Sequence, residues 1–216
     1  MGEESDLFKF ASNMSHPILI ALPYWGNIRH YHELFQASSV EFDIFTHYQK
    51  RQNTNRCYIL SANGIQLLSV PLVKTHNHTP FYEVKISYAE DWRKNHWQSI
   101  LSAYGRSAFF EYYEREIRVI YQQEFEYLKD LNWATYQIVE KIIYHRFSAQ
   151  FATQYYHADE FGGIDLSKNV SSEAISKFDY TPYPQVFMDR MSFQPNLSIL
   201  DLIFNVGPEA VSFLVN

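Results

Sequence analysis

Between Tyr48 and Arg56 the chain reads Tyr48-Gln49-Lys50-Arg51-Gln52-Asn53-Thr54-Asn55-Arg56, which gathers three cations and several amide donors in one short polar stretch. Arginine's planar fork suits phosphate or carboxylate, and a lysine can neutralise the charge on a leaving group. In a chain of formal charge -6, the set Gln49, Lys50, Arg51, Asn55 and Arg56 therefore reads as an anion site. The alternative is a solvated loop whose charges pair with nearby acids. Neither a P-loop nor a GxGxxG cradle accompanies it.

Other residue types could supply chemistry to a bound anion. His96 is a general base by type, though a core histidine satisfied by one hydrogen bond is the commoner case. Cys57 is a nucleophile by type, but its place in an apolar run favours a packed thiol. No serine stands in a nucleophile-elbow context. Near the end, Gln185, Asp189, Gln194, Asn196, Ser198, Asp201 and Asn205 interleave with Leu197, Ile199, Leu200, Leu202 and Ile203. Buried polar groups need partners, so these residues either form a pocket wall or cap a helix, Asn196 or Ser198 accepting from the amides that open it.

Two histidine pairs invite a metal reading. His30 and His32 lie two apart on a helical pattern and point in different directions, so they do not share an ion. His76 and His78 flank Asn77 on a loop without an evident third ligand, so no metal site is assigned.

These residues must be positioned by elements that the pattern outlines. Pro17 to Leu22 reads as a buried strand stopped by Pro23 and Gly26, and Asn27 to Ala37 as a helix, together a βα unit. Val40, Phe42, Ile44 and Phe45 suggest a second strand. Cys57 to Ser61, Asn63-Gly64 and Ile65 to Pro71 read as a hairpin with an Asn-Gly turn. Tyr82 to Ser87 alternates like a strand. From Asp91 to about His145 the period is helical, interrupted at Gly105 and near Lys129. Residues 147–181 read as a loop-rich connector or lid, and Ile199 to Phe204 as a short helix. The fold class expected is α/β: a mixed sheet from the N-terminal half, helices from the middle packed on it, and a C-terminal segment returning to the sheet. One domain over residues 1–216, with a polar leader at 1–16, is the simplest division.

Composition limits the function classes. With 46% hydrophobic and 18% aromatic residues against 19% charged, the chain supports a sizeable core, and its acidic balance argues against nucleic acid as a partner. Aromatic rings not spent on the core could stack on the apolar face of a sugar. Cys57 is the only cysteine, the N-terminus is acidic where a signal peptide is basic, and no apolar run is long enough to span a membrane. A cytoplasmic protein is the expectation. The residues name no cofactor and no oligomeric state.

Several stretches resemble the WbqC-like family. Tyr183-Pro184-Gln185, Met188, Asp189, Phe193, Pro195, Asn196 and the run Leu197 to Asn205 with Gly207-Pro208 are similar to its end. Pro23, Trp25 and Gly26 resemble its early turn, Tyr48-Gln49-Lys50 with Asn55 to Ile59 its central loop and strand, and Asn63-Gly64 with Leu68 to Pro71 its hairpin. Trp92, His96 and Tyr104 resemble its first long helix. Many relatives carry His-Gln-Pro on the first strand, where this chain has Ile20-Ala21-Leu22 before Pro23. The resemblance implies a group transferase of surface-polysaccharide or O-antigen biosynthesis that moves an acyl, aminoacyl or glycosyl group from a small-molecule donor to a saccharide precursor. In that reading His96 is the base, Lys50, Arg51 and Arg56 hold the donor with Gln49 and Asn55 beside them, and Tyr104, Gln185, Asn196 and Asp201 contact substrate. The alternative is a non-catalytic scaffold that binds carbohydrate or protein through exposed aromatics.

Overall fold

The structure, a computed structural model, describes residues 16–49, 53–74, 78–157, 160–167 and 180–215. Lys50, Arg51, His76, Asn77, the polar leader before His16 and much of the 147–181 segment lie outside the described residues.

The first half-turn of the fold follows the sequence pattern closely. Strand β1 spans His16–Ala21, helix α1 Ile28–Gln36 and strand β2 Ala37–Asp43, and β1 pairs parallel with β2. Asn27 opens α1 as its N-cap, its side chain accepting from the His30 amide at 2.9 Å. Ile44 and Phe45, expected in the second strand, fall beyond it, because the Asp43 carboxylate turns the chain by accepting from the amides of Phe45 and Thr46.

The hairpin forms as expected from β3, Arg56–Ser61, and β4, Gly64–Ser69, with Gly64 at φ 104 in the turn. Tyr82 to Ser87 is not a strand. Phe81–Glu83 is a short 3-10 turn, and Ile86 and Lys85 make only isolated bridges to Leu72 and Tyr127. The chain there is pinned by single bonds from both sides, which reproduces alternation without a ladder.

The long helical region is three helices: α2, Trp92–Tyr104; α3, Phe110–Gln122; and α4, Leu128–Ile142. The first break falls at Gly105 as the pattern indicates, and the second lies just before Lys129 rather than at it. α4 lays Trp133 and Tyr136 against Phe42 of β2, while α2 packs on β3. Helices α5, Ile199–Val206, and α6, Ala210–Leu214, bring the C-terminal segment back against α1.

Within 147–181, two short strands complete the sheet: β5, Ala149–Phe151, and β6, Ile164–Asp165. The parallel order is β5-β2-β1-β6, separate from the β3-β4 hairpin, and the α/β class with helices from the middle of the chain holds. Gly163 makes the β6 edge feasible: a Cβ there would collide with the Pro17 carbonyl oxygen of β1.

Candidate functional site

A cleft of about 560 Å³, the space at its mouth included, opens at the carboxyl ends of β1 and β6. β1 lies between β2 and β6 in the parallel sheet, and α1 carries the chain from β1 to β2. Ligands of open parallel α/β sheets bind outside the carboxyl ends of the strands. Ala21 and Pro23 bring the end of β1 to the cleft, Ser167 the end of β6, Arg56 and Tyr58 the hairpin, and His30 the first turn of α1.

The Tyr24-Trp25-Gly26 turn forms one wall under strain. Trp25 is fully buried with φ 43, a left-handed conformation that a bulky side chain adopts only when its surroundings impose it. Its surroundings do: the indole Nε1–H donates to Tyr121 Oη at 2.9 Å, and its carbonyl accepts from the Ser198 hydroxyl at 2.9 Å. Tyr24 Oη bonds both Tyr121 Oη, at 2.9 Å, and His96 Nδ1, at 3.1 Å. His96 thus braces this wall from behind and is not among the described residues that line the cleft. Burial pushes its pKa down to about 4, keeping the ring neutral.

Bonded to this turn is the segment that carries donors without acceptors among the described residues. Thr54 is 7% exposed, and its carbonyl accepts from Asn132 Nδ2 at 2.7 Å and from the Tyr24 amide at 3.1 Å. Its hydroxyl, like the buried Nε–H of Arg56, finds no partner among the described residues. Such an orphan costs about 1–3 kcal/mol, which a ligand oxygen reaching it would recover. Arg56 is the cationic side chain among the described lining residues. His30 also lines the cleft, stacked on Phe42, and burial pushes its pKa down to about 3. Cys57 also reaches the cleft, but burial pushes its thiol up, with a smaller opposing effect from the Ser198 hydroxyl.

The N-terminus of α1 offers the cleft no free amides. Ile28 N–H donates to Leu197 O at 3.0 Å, Arg29 N–H to Asn196 Oδ1 at 3.1 Å, and His30 N–H to Asn27. Asn196 therefore caps α1, a helix distant in sequence, while Ser198 caps its own helix, α5.

Tyr104, Gln185 and Asp201 come together, but in a closed network. Asp201 accepts from Tyr183 Oη at 2.6 Å, Tyr104 Oη at 2.9 Å and Gln185 Nε2 at 2.9 Å. Tyr104 Oη also accepts from the Leu60 amide, and Gln185 closes a two-way bond with Gln194. Desolvation raises the Asp201 pKa against the opposing pull of these three hydrogen bonds. Asn55 is similarly occupied, accepting from Tyr48 Oη at 3.0 Å and donating to Val70 O at 2.9 Å. Gln49 is exposed and does not line the cleft.

Of the residues expected at the site, the structure thus brings Arg56 to the cleft. His30, Thr54, Trp25, Tyr58 and Ser167 join it. The signal for His30 lies in the β1 pattern: a strand ended by Pro23 and Gly26 delivers the next helix's first turn to the sheet's carboxyl edge. Thr54 lies in the polar stretch that the sequence singles out, whereas Ser167 carries no comparable signal. His30 and His32 diverge as expected, His32 Nδ1 lying 2.9 Å from Leu214 O. Among the described residues no group of three His, Cys, Asp or Glu side chains is placed to hold a metal, and no helix is long and apolar enough to cross a membrane.

The uncharacterized protein Rv1507c of Mycobacterium tuberculosis is similar to this chain: 27% identical over 204 residues, covering 81% of this chain and 87% of the relative. No solved structure matches. The family model for WbqC-like proteins matches residues 22–160 and 137–213, so both walls of the cleft and the C-terminal network fall inside it, and the chain belongs to the WbqC-like protein family.

Proposed function

We propose that this protein is a cytoplasmic group transferase of surface-polysaccharide biosynthesis, binding an anionic donor in the cleft and passing an acyl, aminoacyl or glycosyl group to a saccharide precursor. The observation that carries the reading is Arg56, the cationic side chain among the described residues lining a cleft at the carboxyl ends of parallel strands, whose buried Nε, like the Thr54 hydroxyl, meets no acceptor among the described residues. Arg56 holds the donor's anionic group. A hydroxyl or amine of the acceptor attacks the donor's electrophilic carbon, the bond to the anionic leaving group breaks, and the new negative charge stays on Arg56. His30 takes the proton that the acceptor loses. Its ring is neutral in the empty cleft, and negative charge developing nearby raises its proton affinity. His96 acts through Tyr24 on the geometry of the Trp25 wall.

One observation favours a binding role without catalysis. The cleft hydroxyls of Ser167 and Ser198 are committed to the Asp165 carboxylate and the Trp25 carbonyl, so neither is paired with a histidine as an activated nucleophile is. Titration calorimetry with inorganic phosphate, pyrophosphate and a nucleoside diphosphate tests the shared step. A hydrogen bond to a charged group is worth about 1.5–3 kcal/mol, so Arg56→Ala should weaken binding roughly 10–100-fold. Unchanged affinity in that variant would overturn the anion site.

A further inference from the structure

The outer face of the hairpin continues the cleft wall. In the β3-β4 register Arg56 stands opposite Ser69, Tyr58 opposite Leu67 and Leu60 opposite Ile65. Alternate strand residues share a face, so Arg56, Tyr58 and Leu60 of β3 and Ser69, Leu67 and Ile65 of β4 form one face with the cation at its end. The other face is covered: Cys57, Ile59 and Leu68 are buried, and Gln66 donates to Ser99 of α2 at 2.9 Å. On the outer face Leu60 is buried, while Tyr58 is 38%, Leu67 44% and Ile65 53% exposed. Tyr58 belongs to both surfaces, since it also lines the cleft beside Arg56. Four strand steps of about 3.3 Å give roughly 13 Å of apolar track leading away from the cation.

We infer that the cleft takes an anionic amphiphile, its head group at Arg56 and a long aliphatic chain laid along Tyr58, Leu67 and Ile65. The inference rests on the reading of the cleft as an anion site. An anionic head is drawn to Arg56, the cationic side chain among the described lining residues, and a chain attached to it leaves the cleft across Tyr58, which continues into exposed apolar surface. A polar donor would leave this row wet. A chain covering it removes apolar area from water, a gain that rises with chain length.

The test is calorimetric titration of the full chain with inorganic phosphate, ethyl phosphate and octyl phosphate below its micelle concentration. A methylene buried completely strengthens binding about fourfold, and one laid on an open face about twofold, so octyl phosphate should bind roughly 60-fold tighter than ethyl phosphate. Leu67→Gln and Ile65→Gln, both at exposed positions, should remove most of that gain while leaving ethyl phosphate affinity unchanged. Arg56→Ala should weaken both esters. Equal affinity for the two esters overturns the amphiphile and leaves the anion site standing; failure of all three phosphates to bind removes the anion site and the amphiphile with it. Sedimentation of the same variants supplies a further outcome. A dimer that Leu67→Gln converts to monomer shows that a second copy of the chain covers the row, and the inference falls.

Discussion

Replacing Asp201 with alanine isolates the closed network from the cleft. The carboxylate accepts from Tyr104, Tyr183 and Gln185, all buried. Without it Gln185 keeps the Gln194 carbonyl, but the hydroxyls of Tyr104 and Tyr183 lose their acceptor. At about 1–3 kcal/mol per orphaned donor the loss is about 2–6 kcal/mol. Relief of the carboxylate's own desolvation, the effect that raises its pKa, offsets part of this and brings the expectation to about 3 kcal/mol. A domain of ordinary stability survives that loss. Urea unfolding at pH 7.5, followed by tryptophan fluorescence, measures it. The double-mutant cycle with Tyr183→Phe should return a coupling of about 1.5–3 kcal/mol, the worth of a hydrogen bond to a charge. Phosphate affinity, measured well below the melting temperature, should not change, because Asp201 does not line the cleft. A loss under about 1 kcal/mol, or additivity with Tyr183→Phe, would refute the network; lost phosphate binding in a folded variant would move Asp201 into the ligand site.

Two further perturbations follow from burial and close approach. His30 and His96, with pKa values pushed down to about 3 and about 4, stay neutral in the fold but bind protons on unfolding below about 6.5. Their contribution is therefore constant above that pH and is lost as pH falls, by about 1.4 kcal/mol per unit for each ring, until the folded values are reached. Urea unfolding at pH 7.5 and pH 5 should show His96→Gln flattening the acid loss by about 2 kcal/mol; a variant with the wild-type pH dependence shows that His96 is not held neutral. Gly163→Ala should displace β6 from β1, faster amide exchange at Leu166, which bonds the Leu19 carbonyl, being the readout, together with weaker phosphate binding at the Ser167 side. Wild-type exchange would mean that the β1-β6 contact tolerates a methyl group.

Much of the fold is legible because its elements are local. β1, α1 and the hairpin each carry a strand or helix period and a turn residue at the boundary. β5 and β6 are not legible, because strands of three and two residues have no period of their own; they exist where β2 and β1 offer open edges. The polar residues divide by the same logic. Residue type shows that Asn55, Gln185, Asn196 and Asp201 need partners, but only the packing reveals that those partners are backbone amides and tyrosines rather than a ligand. Arg56 stands apart because its Nε is buried and no described acceptor meets it.

The stitching of Asn196, Leu197 and Ser198 to Arg29, Ile28 and Trp25 has a consequence for biosynthesis. A growing chain makes the strained turn after β1 early, yet three of the hydrogen bonds that hold the turn and the helix behind it come from residues translated about 170 positions later. Until they arrive, the turn is held from one side only, through the Tyr121 hydroxyl and the other partners of Tyr24, and the cleft wall lacks its second set of bonds. A nascent or truncated chain that stops short of Asn196 thus carries all the described strands but lacks the bonds that fix the turn from its second side. Synthesis of the segment from Asn196 to Ser198 is itself the event that locks the cleft wall.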